Sequence, residues 1–164
     1  MRINFLMNSL LILTLTVGLS TPSWSIENSE CLECHGNTEN WNLQSPQEAR
    51  LFIQSASFSA SVHAGFSCTD CHEGIQELPH EDKLPKASCT ICHDEAGESY
   101  SKSIHGVVRM GGDTDAAGCI SCHGSHDIVP VKDPRSPVHT RNLALTCIKC
   151  HEDAALVEKH RLPG

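Results

Sequence analysis

The chain has 164 residues, of which 39% are apolar and only 4% aromatic, and its formal net charge is −8. An acidic chain lacks the basic surface that nucleic-acid binding requires, so no nucleic-acid partner is expected. The chain also contains 10 Cys and 11 His, far above ordinary usage. With so few aromatic residues, a core made of ordinary side chains is not expected.

The first 25 residues have the features of a secretory signal peptide. Arg2 gives a positive start, an apolar stretch runs from Leu6 to Leu19, and the segment 23–25 offers small residues on both sides of Trp24 for cleavage. The alternative is an uncleaved membrane anchor, but the uninterrupted apolar run is shorter than the about 20 residues of a bilayer span. We therefore predict an exported mature chain, residues 26–164, located in the periplasm or outside the cell and not stably inserted in the membrane.

All ten cysteines belong to one motif, C-x-x-C-H, which occurs five times. The motifs are Cys31, Cys34 and His35; Cys68, Cys71 and His72; Cys89, Cys92 and His93; Cys119, Cys122 and His123; and Cys147, Cys150 and His151. This is the attachment motif of c-type haem: the two thiols bind one porphyrin as thioethers, and the adjacent His is the proximal iron ligand. Disulfides or zinc sites also use paired cysteines, but neither requires a His after every second Cys. The pattern therefore predicts five covalently bound haem c groups.

Six histidines remain as candidate ligands for the opposite face of the irons. They are His63, His80, His105, His126, His139 and His160. Met110, the one Met outside the predicted signal peptide, can serve at most one haem. The economical interpretation is therefore bis-His coordination of all five irons, with low-spin haems of low potential. One donor is left over, and the sequence does not decide whether the spare is His139 or His160.

Two of these donors stand out by their position. His126 follows His123 by three residues, so it cannot reach the other face of the same iron and must bind that of a neighbouring haem. His80 lies between two closely spaced motifs, where an exposed loop histidine is the alternative interpretation.

The predicted fold is mostly irregular, with a few short α-helices and little or no β-structure, because Val and Ile are sparse and alternation is weak. A capping box at Ser45 begins a helical pattern that reaches His63. Two further helices are predicted over residues 94–104, with Gly106 just past the end, and over residues 152–159. With one haem per about 28 residues, the porphyrins would form most of the hydrophobic core.

With these features the chain resembles the bis-His multihaem c-type cytochromes of bacteria, loosely the c3/c7-like group. The resemblance is carried by the five haem motifs, by the similar segments 61–64 and 103–106 around His63 and His105, and by the segment 119–126. It implies an electron carrier with closely stacked haems.

We expect electron transfer rather than enzyme activity, because an iron with two axial ligands has no open position for a substrate. The alternatives are a small multihaem reductase of nitrite, tetrathionate or sulfite with one open haem, and a non-redox metal-binding module. The expected partners are redox proteins, either a membrane quinol oxidoreductase or a periplasmic reductase. The acidic charge favours a partner with a basic docking patch.

Overall fold

The computed structural model describes residues 25–162, so the predicted signal peptide, apart from Ser25, lies outside the described residues. In that range the chain forms nine short α-helices, two 3-10 turns and no strand, joined by irregular segments. The helices are α1 (Asn28–His35), α2 (Pro46–Ala49), α3 (Ser55–Ser59), α4 (Cys68–Cys71), α5 (Asp94–Ser101), α6 (Ile104–Met110), α7 (Cys119–His123), α8 (Leu143–His151) and α9 (Ala154–His160). The 3-10 turns are Thr38–Asn40 and Cys89–Ile91. The predicted fold class is therefore confirmed.

The polypeptide supplies no apolar core of its own: within residues 25–162 no hydrophobic side chain is buried. Large aliphatic side chains are exposed instead, among them Ile104 at 72%, Met110 at 65% and Ile120 at 63%. The helices that contact each other most are neighbours in sequence, such as α5 with α6 and α8 with α9. Because burial of apolar surface is the main stabilising contribution to folding, a chain of this kind depends on another apolar group to complete its core.

No helix of the described range is both long enough and apolar enough to cross a membrane.

The predicted helix from Ser45 to His63 is wrong in its length. It begins as expected, because the Ser45 hydroxyl accepts the Glu48 N–H, but α2 ends at Ala49, and only residues 55–59 become helical again. The intervening backbone bonds to the first haem motif instead: the Ile53 N–H donates to the carbonyl oxygen of His35 at 2.8 Å. A contact between distant segments thus overrides the local helical pattern.

The predicted helix over residues 94–104 also differs, because α5 ends at Ser101 and a new helix, α6, begins at Ile104. The Ser103 hydroxyl accepts the Gly106 N–H at 3.1 Å and caps α6. His105 and Gly106 therefore lie in the first turn of α6, not after the end of α5. The third prediction is nearly correct, since α9 covers residues 154–160 after the cap residue Asp153.

Gly106 sets how closely α6 approaches α5. A Cβ at this position would collide with the backbone carbonyl of Tyr100 at the end of α5. Gly106→Ala is therefore expected to push α6 away, displace His105 and lower the stability by about 1–3 kcal/mol, as overpacking does elsewhere. Thermal unfolding of the haem-loaded protein measures the effect. Gly65→Ala is the matched control, because its added Cβ meets no atom within 4 Å; equal melting temperatures for the two variants would contradict this account.

Candidate haem sites

Each C-x-x-C-H motif lies on a short helical turn or at the end of a longer helix. The first and fifth motifs end α1 and α8, the second and fourth form α4 and α7, and the third forms the turn Cys89–Ile91. Residues three apart lie on the same side of a helical turn, so both thiols of a motif are directed to one side, as attachment to a single porphyrin requires. No disulfide joins any two of the ten cysteines, so the structure does not pair them as a disulfide scaffold.

Four of the five proximal histidines face another histidine ring. The ring-centroid separations are 5.9 Å for His35 and His80, 6.2 Å for His72 and His126, 6.0 Å for His93 and His63, and 6.1 Å for His151 and His105. Metal–imidazole bonds are about 2 Å long, and a ring centroid lies about 1 Å behind its nitrogen, so an iron between two imidazoles holds their centroids roughly 6 Å apart. The donor set and its spacing therefore fit haem iron with two histidine ligands.

The ring planes divide these pairs into two classes. The interplanar angle is 4° for His35 and His80 and 20° for the second pair, but 56° for the third and 66° for His105 and His151. Near-parallel imidazoles separate the energies of the two iron d orbitals that interact with the rings, which gives a resolved rhombic low-spin EPR signal. Steeply inclined rings leave these orbitals nearly equal in energy, which gives a broad, highly anisotropic signal. The two classes are therefore distinguishable by spectroscopy.

The first pair is oriented by backbone carbonyls. His35 Nδ1 lies 2.7 Å from the Leu51 oxygen, and His80 Nδ1 lies 2.8 Å from the Glu81 oxygen. An imidazole that donates its Nδ1–H to a carbonyl keeps the Nε2 lone pair for a metal. Both rings of the pair therefore have Nε2 available for coordination.

Burial favours the neutral form of both imidazoles in the second pair. Burial, and then the charges of His35 and His80, lower the pKa of His72. Burial, and then the charge of His72, also lower the pKa of His126. Since an imidazole must be deprotonated to bind a metal, both shifts favour ligation.

The chain reaches this pair through a sharp turn after α7. Gly124 has a φ of 80°, in the region that favours glycine. A Cβ at Gly124 would also lie 2.7 Å from an Asp127 carboxylate oxygen. The turn separates His123 from His126, and it is His72 of another motif that the His126 ring faces.

The fifth proximal histidine, His123, has no comparable ring partner within the described residues. Of the two remaining histidines, His160 lies between two carboxylates, with Nδ1 3.2 Å from Asp113 and Nε2 3.0 Å from Asp115. Within residues 25–162 the His139 ring has one hydrogen bond, in which Nδ1 accepts the Arg141 N–H at 3.2 Å. The two candidates that the sequence left open therefore have different surroundings.

His139 lies in a loop between the fourth and fifth motifs that side-chain hydrogen bonds hold together. Ser136 is buried, with 1% of its surface exposed, and the Asn142 side-chain amide donates to the backbone carbonyl oxygen of Ser136 at 2.9 Å. At the start of the loop, Arg135 binds Asp133 at 2.7 Å and lowers the pKa of this carboxyl to about 2. These contacts fix the backbone before and after His139.

Three supporting residues were not predicted from the sequence. Trp41 stacks on His35 with centroids 5.3 Å apart, and Asn28 bonds to the second motif. Arg109 donates to the carbonyl oxygen of Ala116, at 2.6 Å, ahead of the fourth motif. A conspicuous Trp just after the first motif was the one signal available, whereas Asn and Arg at these positions do not differ from ordinary surface residues.

Helical C-x-x-C-H motifs and facing imidazole pairs define a multihaem c-type cytochrome. The class III cytochrome c family matches residues 39–135, more than half of the chain, and the protein belongs to this family. This match confirms the resemblance to the c3/c7-like group at the level of the family. The protein is therefore an electron-transport protein with covalently bound haem c and its iron. No curated protein and no solved structure matched the chain.

The matched range contains the second, third and fourth motifs completely. The first motif, at Cys31, and the fifth, at Cys147, lie outside it. Class III cytochromes are generally electron carriers, and they are typically periplasmic.

Proposed function

We propose that the protein is a periplasmic electron carrier with five bis-His haem c groups in residues 26–164. The observation that supports this best is the pairing of four proximal histidines with four distant ones at the separation that iron between two imidazoles requires. When bound, the haems accept and release single electrons. The chain attaches them through thiols, supplies both axial ligands and leaves no coordination position for a substrate.

For the fifth iron, the surroundings of the two remaining histidines favour His139 as the partner of His123. Carboxylates engage both ring nitrogens of His160, whereas the described hydrogen bonds engage only Nδ1 of His139. His160 then has a structural role, because its contacts with Asp113 and Asp115 hold α9 to the segment before the fourth motif. The Lys159 ammonium, followed by the His160 ring, lowers the pKa of Asp115, which favours the charged carboxylate in these contacts.

A reductase with one open haem is the second candidate function. It is favoured by one observation, the lack of a ring facing His123 in the described part of the chain. An open iron at that position would bind small ligands such as nitrite or carbon monoxide. The two candidates therefore differ in the coordination of a single haem.

A redox titration tests the electron-carrier proposal. We expect the oxidised protein, isolated from a host that attaches haem c, to take up five electrons per molecule and to bind no carbon monoxide when reduced. Fewer than five electrons would refute the haem number. Binding of one carbon monoxide per molecule would favour the reductase.

The charge distribution supports docking of a basic redox partner on the section formed by residues 26–100. Residues 26–100 carry 13 Asp and Glu against 3 Lys and Arg, whereas residues 131–164 carry 4 acidic and 6 basic residues. Helix α1 has exposed carboxylates at the first motif, Glu30 directly before it and Glu33 within it. A membrane quinol oxidoreductase or a periplasmic reductase with a basic patch would be attracted to this acidic section.

Electron transfer to a basic monohaem cytochrome c, used as a probe, should therefore depend on salt. Stopped-flow measurements are expected to give a rate constant that falls about tenfold or more from low to high ionic strength. Glu33→Lys should reduce the low-salt rate. A matched reversal at Glu158, on α9 in the basic section, should change it little; an equal loss in both variants would contradict docking at the acidic section.

A further inference from the structure

We propose that the five attachment sites lie in space in the order in which their motifs follow along the chain, so that the first and fifth haems form the two ends of the series. This inference rests on the five haems proposed above and concerns which sites are neighbours. Each of the four steps is supported by its own contact between segments that contain or adjoin consecutive motifs.

The first and second sites are joined by Asn28 of α1. Its side-chain oxygen accepts the Cys68 N–H at 2.7 Å, and its amide donates to the carbonyl oxygen of Phe66 at 3.0 Å. The thiols of the two motifs are also neighbours, since burial, and then the Cys31 thiol, raise the pKa of Cys68 to about 11. The first two attachment sites therefore lie side by side.

The second and third sites line one cavity. Its wall includes Cys71 of the second motif and Ile91 of the third, together with Gly74 and Pro85 from the segment between them. The Cys71 thiol is also among the groups that raise the pKa of Cys89, after burial and Cys119. The two sites therefore share a boundary.

The third and fourth sites are joined through α5. The Tyr100 hydroxyl near the end of α5 donates to the carbonyl oxygen of Ala117 at 2.9 Å, two residues before Cys119. Burial, and then the Cys119 thiol, raise the pKa of Cys89. The thiols of Cys89 and Cys119 therefore lie side by side, as those of Cys31 and Cys68 do.

The fourth and fifth sites are joined by α9, which follows the fifth motif. Lys159 and His160 contact Asp115 at 2.6 Å and 3.0 Å, four residues before the fourth motif begins. These contacts hold α9, which follows the fifth motif, against the segment that precedes the fourth motif.

The hydrogen bonds, the ion pair and the shared cavity support this order over a compact cluster, because each of them joins segments at consecutive motifs. Two ring pairs do link segments that are farther apart, since His126 faces His72 of the second motif and His105 faces His151 of the fifth. In both pairs the partner ring lies outside the motifs, so the contact supplies an axial ligand and does not bring a second attachment site.

Selective reduction of single haems tests the order. His80→Met replaces the partner of His35, and methionine ligation raises the potential of that haem. Partial reduction then makes the first iron diamagnetic while the others stay ferric and paramagnetic. We expect the loss of spin coupling to sharpen the EPR signal of the second haem alone. His63→Met does the same at the third haem and should change two neighbouring signals, those of the second and fourth haems.

If methionine does not bind the first iron, His80→Ala gives the same readout, because carbon monoxide holds the opened haem in the diamagnetic ferrous state. An effect of the first haem on the third or fifth as large as that on the second would overturn the order. Intact mass and the optical spectrum of each variant count the haems separately. A protein with five haems but the wrong coupling pattern refutes only the order, whereas a protein with fewer haems refutes the proposed function.

Discussion

Replacement of His126 by Ala is expected to convert one haem, the one attached at Cys68 and Cys71, from low-spin to high-spin. The His126 ring faces His72 with centroids 6.2 Å apart, although His126 follows the fourth motif in sequence. Its removal leaves that iron with one axial ligand. The variant should bind one carbon monoxide per molecule when reduced, and added imidazole should restore the low-spin spectrum.

The EPR spectrum identifies which haem has changed. The pair His72 and His126 belongs to the near-parallel class, so the variant should lose one of two rhombic signals and keep the broad signals of the inclined pairs. Retention of both rhombic signals would show that His126 does not serve the second site. Ser125→Ala, a neighbour whose hydroxyl lies 3.3 Å from the His126 ring, is the control and should leave all haems low-spin.

The second large effect is expected from His139→Ala, in contrast with His160→Ala. If His139 completes the fifth coordination sphere, its removal produces one high-spin haem, which binds carbon monoxide and responds to imidazole. His160→Ala should keep every haem low-spin and release α9 from Asp113 and Asp115, which faster amide exchange in residues 154–160 would detect.

The reverse result is equally informative. A high-spin haem in His160→Ala, with His139→Ala unchanged, would make His160 the ligand and the loop histidine the spare. An open haem already present in the unsubstituted protein would support the reductase instead.

The haem chemistry was predictable from sequence because it is encoded locally. Two thiols and a histidine within five residues form one site wherever they occur, so the motifs at Cys31 and Cys147 are as recognisable as the others. The lack of strands in residues 25–162 was predictable because Val and Ile are sparse and because apolar and polar residues alternate only weakly.

The distal ligands were predictable as a set but not as pairs. The rings of His35 and His80 are paired although they are 45 residues apart in sequence, and those of His105 and His151 are 46 residues apart. No local sequence pattern specifies such contacts. The helix boundaries failed for the same physical reason: the carbonyl of His35 accepts a hydrogen bond from Ile53 and interrupts a helix that the local sequence favours. Because no hydrophobic side chain of the described segment is buried, such single contacts decide its local structure.

The central claim is that five irons each lie between two histidines. The most direct measurement is an EPR spectrum of the oxidised protein, quantified against a haem count from the intact mass. The predicted result is a mass of polypeptide plus five haems and only low-spin ferric signals, with two rhombic species from the near-parallel pairs and broad anisotropic signals from the inclined ones. A polypeptide mass without haem, or high-spin iron in the protein as isolated, would contradict the account.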